Sequence, residues 1–194
     1  MTSGVAEIEA SIREHRAALD ALAGMAGEIA AFARSWYDVL RAGGTVYFCG
    51  NGGSAGDSQH LAAELTGRFE GERRGLRAVA LTTDTSALTA IANDYSYDRV
   101  FARQVDALAR PGDLLVAIST SGNAASVLNA AQAMQRAGGR ALGLTGASGG
   151  KLHAAGVPCL RVPSPRTARI QELHILIGHC CCQLIDGWVA QEPS

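Results

Sequence analysis

No run in this chain reaches the roughly 18 consecutive apolar residues that a membrane-crossing helix needs, so no membrane span is expected. Charge of one sign is also missing. Seventeen Lys and Arg against 18 Asp and Glu leave a formal net charge of −1, which offers no broad attraction for nucleic acid or an anionic membrane surface. Residues Met1 to Glu9 lack the basic region followed by an apolar core that marks a secretory leader, and a cytoplasmic chain is expected. Neither Gly-x-Gly-x-x-Gly nor Gly-x-x-x-x-Gly-Lys-Ser/Thr occurs, which removes the usual nucleotide-binding fingerprints. There is no internal repeat and no low-complexity linker. At 194 residues the whole chain, 1–194, suits one domain large enough to bury a substantial core.

Five cysteines in a chain of this length do not make a disulfide framework. Cys180, Cys181 and Cys182 are consecutive, and on a helix neighbours point about 100° apart, so they cannot close around one ion. They read as small buried hydrophobes. The 23 glycines and 47% hydrophobic content fit a compact α/β protein rather than a disordered one.

What the sequence does have is an alternation of apolar runs and helix-length segments. Val46–Cys49, Ala78–Leu81, Leu114–Ile118, Ala141–Leu144 and Cys159–Val162 read as short buried strands. Between them lie Ser54–Thr66, Thr85–Leu108 (broken around Asn93–Tyr97), Ala124–Ala137 and a short turn at Lys151–Ala155. A long helix follows from Ala168 to about Val189. Five strands alternating with helices predict a doubly wound parallel sheet, with ligands bound beyond the strands' carboxyl ends where the strand order reverses. Ahead of the sheet, residues 3–42 read as two helices broken near Gly24. Ile8, Ile12, Leu19 and Leu22 mark one apolar stripe; Ile29, Phe32, Trp36 and Leu40 mark the other. Such an extension either packs on another subunit or covers one sheet face. Gln191–Ser194 reads as a loose tail.

The organising stretch is Tyr47 to Glu64. A strand runs into Gly50, Asn51, Gly52 and Gly53, and then into a helix for which Ser54 is the expected N-cap. Unpaired N–H donors and the helix dipole then converge on one spot, an anion cradle. One turn on, His60 and Glu64 lie i, i+4 on one face. A second loop, Ser119-Thr120-Ser121-Gly122-Asn123, precedes another helix with hydroxyls and a glycine suited to phosphate. On the last helix, Gln171 and His174 are one turn apart, Gln171 and His179 are separated by about 80° around the axis, and Glu172 and His179 share a face; periodicity does not choose between these pairs. Imidazole and carboxylate together form a partial ligand set for zinc or another divalent ion.

With these residues laid out, the chain resembles the sugar isomerase (SIS) domain family, and within it the isomerases of seven-carbon sugar phosphates. The resemblance runs through Gly50-Asn-Gly-Gly-Ser54, Gln59-His60-x-x-x-Glu64-Leu-Thr-Gly-Arg68, Ala92-Asn93-Asp94-Tyr95, Ile118-Ser-Thr-Ser-Gly-Asn123 and Ile170-Gln171-Glu172-x-His174. It implies one zinc ion per subunit held by His60, Glu64, Gln171 and His179, with Glu64 and His179 as the acid/base pair. It also implies a sugar phosphate held by Asn51, Gly52, Gly53, Asn93, Asp94, Ser119, Thr120 and Ser121; Ser54, Glu64, Arg68 and Gln171 join that set. The implied reaction turns sedoheptulose 7-phosphate into D-glycero-D-manno-heptose 7-phosphate through an enediol or enediolate. The implied assembly is a homotetramer with sites between subunits, residues 1–43 serving its packing.

Two positions depart from that pattern. Ala124 stands where a further serine is usual, and no acid precedes Ile170 in Arg166-Thr-Ala-Arg169. The second departure, with Leu184-Ile-Asp186, is also similar to a SIS adaptor that binds the bacterial replication initiator. That adaptor lacks counterparts of Glu64 and His179, and their presence here favours the enzyme.

Overall fold

The computed structural model describes residues 2–192; Pro193 and Ser194, the end of the expected tail, lie outside them. The elements run α1 (Thr2–Ala23), α2 (Ala26–Arg41), β1 (Val46–Cys49), α3 (Gly53–Thr66), β2 (Ala78–Ala80), α4 (Thr85–Asp94), a 3₁₀ turn (Tyr97–Arg99), α5 (Ala102–Leu108), β3 (Leu114–Ser119), α6 (Ala125–Arg136), β4 (Arg140–Gly146), α7 (Gly150–Ala154), β5 (Cys159–Val162) and α8 (Thr167–Val189). The five strands form one sheet in the order β2-β1-β3-β4-β5. All four pairings are parallel. This is the expected doubly wound sheet, and its order reverses between β1 and β3.

Strand side chains alternate between two buried faces, because successive residues point to opposite sides. Val46, Phe48, Leu114, Val116 and Ile118 join α2, α3 and α8 on one face. Tyr47, Cys49, Leu115 and Ala117 join α5, α6 and α7 on the other. β1 and β3, in the middle of the sheet, are buried on both sides, which is why they read as continuous apolar runs. Trp36 on α2 is fully buried and meets Phe48 edge to face at 5.1 Å. No helix among the described residues is long and apolar enough to cross a membrane.

The two N-terminal stripes behave differently. Ile29, Phe32, Trp36 and Leu40 are buried against the sheet, so α2 is the cover over one face. On α1 only Leu22 of its stripe is buried, while Ile8 and Ile12 remain 62% and 54% exposed. The three adjacent cysteines are free; Cys181 and Cys182 are buried and Cys180 half-buried, as small core residues should be.

The expected cap of α3 needs correction. The helix begins at Gly53, its N-cap is Gly52 at φ 56°, and no side chain caps it. Ser54 is buried inside the first turn, where its carbonyl accepts from Ser58 Oγ at 2.7 Å. Positive φ, accessible to glycine at little cost, lets the chain turn sharply enough to leave the cap position without a side-chain oxygen.

Candidate active site

Two close approaches bring α3 and α8 together. The Gln171 amide lies where a Cβ on Gly53 would be, and the Leu61 methyls lie where a Cβ on Gly178 would be. Both contacts advance in the same direction along the two helices, so α3 and α8 run alongside one another. His60 and His179 are the next neighbours of Leu61 and Gly178, and they meet: Nε2 to Nε2 is 2.8 Å, one imidazole donating to the other. Glu64 Oε1 is 3.4 Å from the same His60 nitrogen. The Glu64 side chain is 21% exposed and that of His60 46%, so the group borders solvent without being stripped of it. Phe69 covers His179, its ring centroid 5.4 Å away.

An arginine holds this corner in place. Arg73 donates to the carbonyls of Glu64 (2.7 Å), Leu65 (3.0 Å) and Gly67 (3.2 Å), satisfying groups left open at the end of α3. Its Nε meets Asp186 on α8 at 2.5 Å, and Asp186 also accepts from the Glu70 and Gly71 N–H groups, both at 3.1 Å. The buried ion pair thus joins the C-terminal end of α3, the loop carrying Phe69, and α8.

The open pairing on α8 resolves against Glu172. Its carboxylate accepts from His15 at 2.7 Å and Arg169 at 2.5 Å, turned toward α1. Gln171 faces α3 but packs on Gly53, with no hydrogen bond to His60, Glu64 or His179. Among the described residues no cluster of three or more His, Cys, Asp or Glu is arranged to hold a metal.

The two loops expected to bind an anion flank the β1/β3 reversal. Among the described residues, the N–H groups of Gly52 and Gly53 at the start of α3, and of Ala125 and Ser126 at the start of α6, have no hydrogen-bond partner. Asn51 Nδ2 donates to Ser126 Oγ at 3.0 Å, bridging the two loops. Ser119 is buried, Thr120 half-buried and Ser121 exposed; Ser121 Oγ accepts from the Asn123 N–H at 3.1 Å. Asn93 and Asp94 are exposed and hydrogen-bond to each other at 3.0 Å. Arg68 points along its own loop, donating to the Glu70 carbonyl at 3.1 Å, and is not drawn into the cleft of this chain.

Sequence reasoning missed three residues near the site, Phe69, Tyr97 and Asp57, and named a fourth, His174, without placing it in the interior. Phe69 and Tyr97 carry no motif signal. Asp57 is buried on α3, one turn before His60, with Oδ2 lacking a partner in the chain. Burial pushes its carboxyl up to about 6, against the pull of His60. His174 is fully buried, and neither ring nitrogen has a clear partner. Burial depresses it to about 4, with the Thr145 backbone acting in the other direction. The i, i+3 spacing of Asp57 and His60 was the available sign for the first; nothing marked the second as interior.

Comparison with known proteins decides what this arrangement belongs to. The SIS domain family matches residues 12–146. The phosphoheptose isomerase of Roseiflexus sp. strain RS-1 is 53% identical over 186 residues, 96% of this chain and 93% of its own. The chain belongs to the phosphoheptose isomerase family. The structure of the Neisseria gonorrhoeae phosphoheptose isomerase superposes with a TM-score of 0.84 at 47% identity, covering 96% of this chain and 98% of that one. That of the Francisella tularensis phosphoheptose isomerase gives 0.92 at 38% identity, covering 96% and 100%. The protein is therefore an isomerase acting on a sugar phosphate, and the relatives carry the enzyme reading rather than the adaptor.

Proposed function

We propose that this phosphoheptose isomerase family member interconverts sedoheptulose 7-phosphate and D-glycero-D-manno-heptose 7-phosphate. The observation that carries the reading is the meeting of His60, Glu64 and His179 across α3 and α8, beside loops with unpaired N–H donors. The phosphate is taken by the Gly52 and Gly53 N–H groups and the Ser119–Ser121 loop, with the N-terminal ends of α3 and α6 adding favourable dipoles. Asn93, Asp94 and Ser54 join the substrate set in this chain, and Arg68, which lies along its own loop, joins it only in a site shared between subunits. Glu64 moves a proton between C1 and C2 of the sugar, and His179 serves the adjacent oxygens, giving an enediol or enediolate.

The donor chemistry suits zinc: the two imidazole nitrogens and the carboxylate at this corner, with the Gln171 amide packed on Gly53 earlier along the same two helices, are all ligands of borderline or harder character. His60, Glu64, Gln171 and His179 would hold it. Bound there, zinc would supply a Lewis acid that polarises the sugar carbonyl. Glu64 would then be both a ligand and the base.

The working assembly is a homotetramer with sites shared between subunits. In support, α1 exposes Val5, Ile8 and Ile12, and a cleft of about 690 Å³ separates it from the start of α8. Within residues 1–43, α1 serves that packing, because α2 already covers one face of the sheet. Steady-state assay with sedoheptulose 7-phosphate, with and without chelator, tests the whole reading. Turnover that chelator stops and added zinc restores supports it, and absence of turnover with zinc present overturns it.

A further inference from the structure

Asn51 is gripped at both ends of its carboxamide. Nδ2 donates to Ser126 Oγ at 3.0 Å, and Oδ1 accepts from the Tyr97 hydroxyl at 2.9 Å. Ser126 is 2% exposed in the first turn of α6, and Tyr97 is 55% exposed in the 3₁₀ turn that follows α4. Three segments distant in sequence therefore meet on one side chain over the β1/β3 reversal. Asn93 and Asp94, the residues in this neighbourhood that carry a motif, bond to each other; Tyr97 makes the link to the glycine loop.

The consequence falls on the next two residues. Gly52 turns at φ 56°, and the N–H groups of Gly52 and Gly53 have no partner among the described residues. Glycine has no Cβ to restrict its backbone, so the direction of those donors rests on how the preceding residue is anchored. A donor helps bind an anion only when it is already aimed; otherwise binding must bear the cost of ordering the loop.

We propose that Tyr97 is a positioning residue for the sugar phosphate, acting through Asn51 to aim the Gly52 and Gly53 N–H groups. The inference rests on the reading that this loop takes the phosphate. A surface tyrosine with only a packing role is the alternative, and Tyr97→Phe separates the two because it removes the hydroxyl and keeps the ring.

The experiment combines steady-state kinetics with the melting temperature in the presence of inorganic phosphate. Tyr97→Phe is expected to raise KM about three- to tenfold, the scale of one neutral hydrogen bond. It should leave kcat within about twofold, because the lost contact serves ground state and transition state alike. The melting temperature without phosphate should stay at the wild-type value, and the rise that phosphate gives should shrink. Ser126→Ala should raise KM comparably. The double variant should be no worse than the poorer single one, because both hydroxyls act through one amide. A KM that stays at the wild-type value, a fall in kcat alone, or effects that multiply in the double variant overturns the role of Tyr97. If the wild-type protein shows no response to phosphate, the loop itself has been misread. A wild-type response that Tyr97→Phe retains in full removes Tyr97 alone.

Discussion

Leu61 on α3 occupies the space that a side chain on Gly178 of α8 would need. The helices approach closely because one of them has no Cβ at that point, and the two histidines that meet are the neighbours of this pair. Gly178→Ala forces Leu61 aside in a packed core, an overpacking that costs about 1–3 kcal/mol. The catalytic loss should be larger than the stability loss, roughly a hundredfold, because a misplacement of about 1 Å at reacting groups has that effect. Urea denaturation measures the first, and turnover per folded molecule the second. Wild-type turnover in a destabilised Gly178→Ala protein would show that the close crossing is not needed for catalysis.

Glu64→Gln keeps the size of the side chain and removes the carboxylate proposed as the base. Aldose–ketose exchange should fall by roughly 10²–10⁴, the usual share of a positioned acid/base group. The thermal midpoint should hold, since the Glu64 side chain is partly exposed and its backbone carbonyl still accepts from Arg73. His179→Ala should lose activity and bound zinc together. Metal analysis after gel filtration checks this, and an unchanged zinc content would take His179 out of the ligand set.

Ala124 is the N-cap of α6 and has no side-chain cap hydrogen bond. Ser126, two residues on, is already committed to Asn51 and does not stand in for a hydroxyl at 124. Ala124→Ser should therefore raise stability by about 0.5–2 kcal/mol as a helix cap. It should also lower KM for the sugar phosphate by adding a donor beside the loop. A rise in melting temperature with unchanged KM would confine the new hydroxyl to capping.

The pH dependence of stability contains two opposed contributions. His174 is depressed from 6.5 to about 4 in the folded chain, so the unfolded chain binds more protons between those values. Stability falls as the pH drops through that window, by about 3 kcal/mol in all. Asp57 is raised from 3.8 to about 6, so the folded chain binds the extra proton and gains stability as the pH drops from about 6 toward 3.8. The two slopes oppose each other over most of the same range. Asp57→Asn should expose the His174 limb as a steeper acid loss, and His174→Gln should reverse the sign. Denaturation midpoints at pH 4.5 and 6.5 in each variant measure this, and parallel curves for all three proteins would contradict it.

Much of the architecture was legible because it depends on local pattern. The strands Val46–Cys49 and Cys159–Val162 stand at the expected positions, since a short apolar run bounded by turn residues has few other uses in an α/β chain. The break in Thr85–Leu108 was visible in Asn93–Tyr97, where the helical pattern fails. Ser54 misled because serine favours the cap position in general, while here Gly52 makes the turn at positive φ. The α1 stripe was read correctly as apolar, but periodicity does not say which surface a stripe meets.

By itself, then, the amino-acid order determined the alternating α/β layout, the glycine loop at the end of β1, and which side chains could bear chemistry. Those follow from backbone preferences and hydrophobic period, which act over a few residues. Tertiary structure alone decided that Gln171 rather than Glu172 turns toward α3, that Arg73 and Asp186 tie α3 to α8, and that Tyr97 reaches Asn51. Each of these depends on how two elements far apart in the chain pack, and packing is set by shape complementarity that no local window contains.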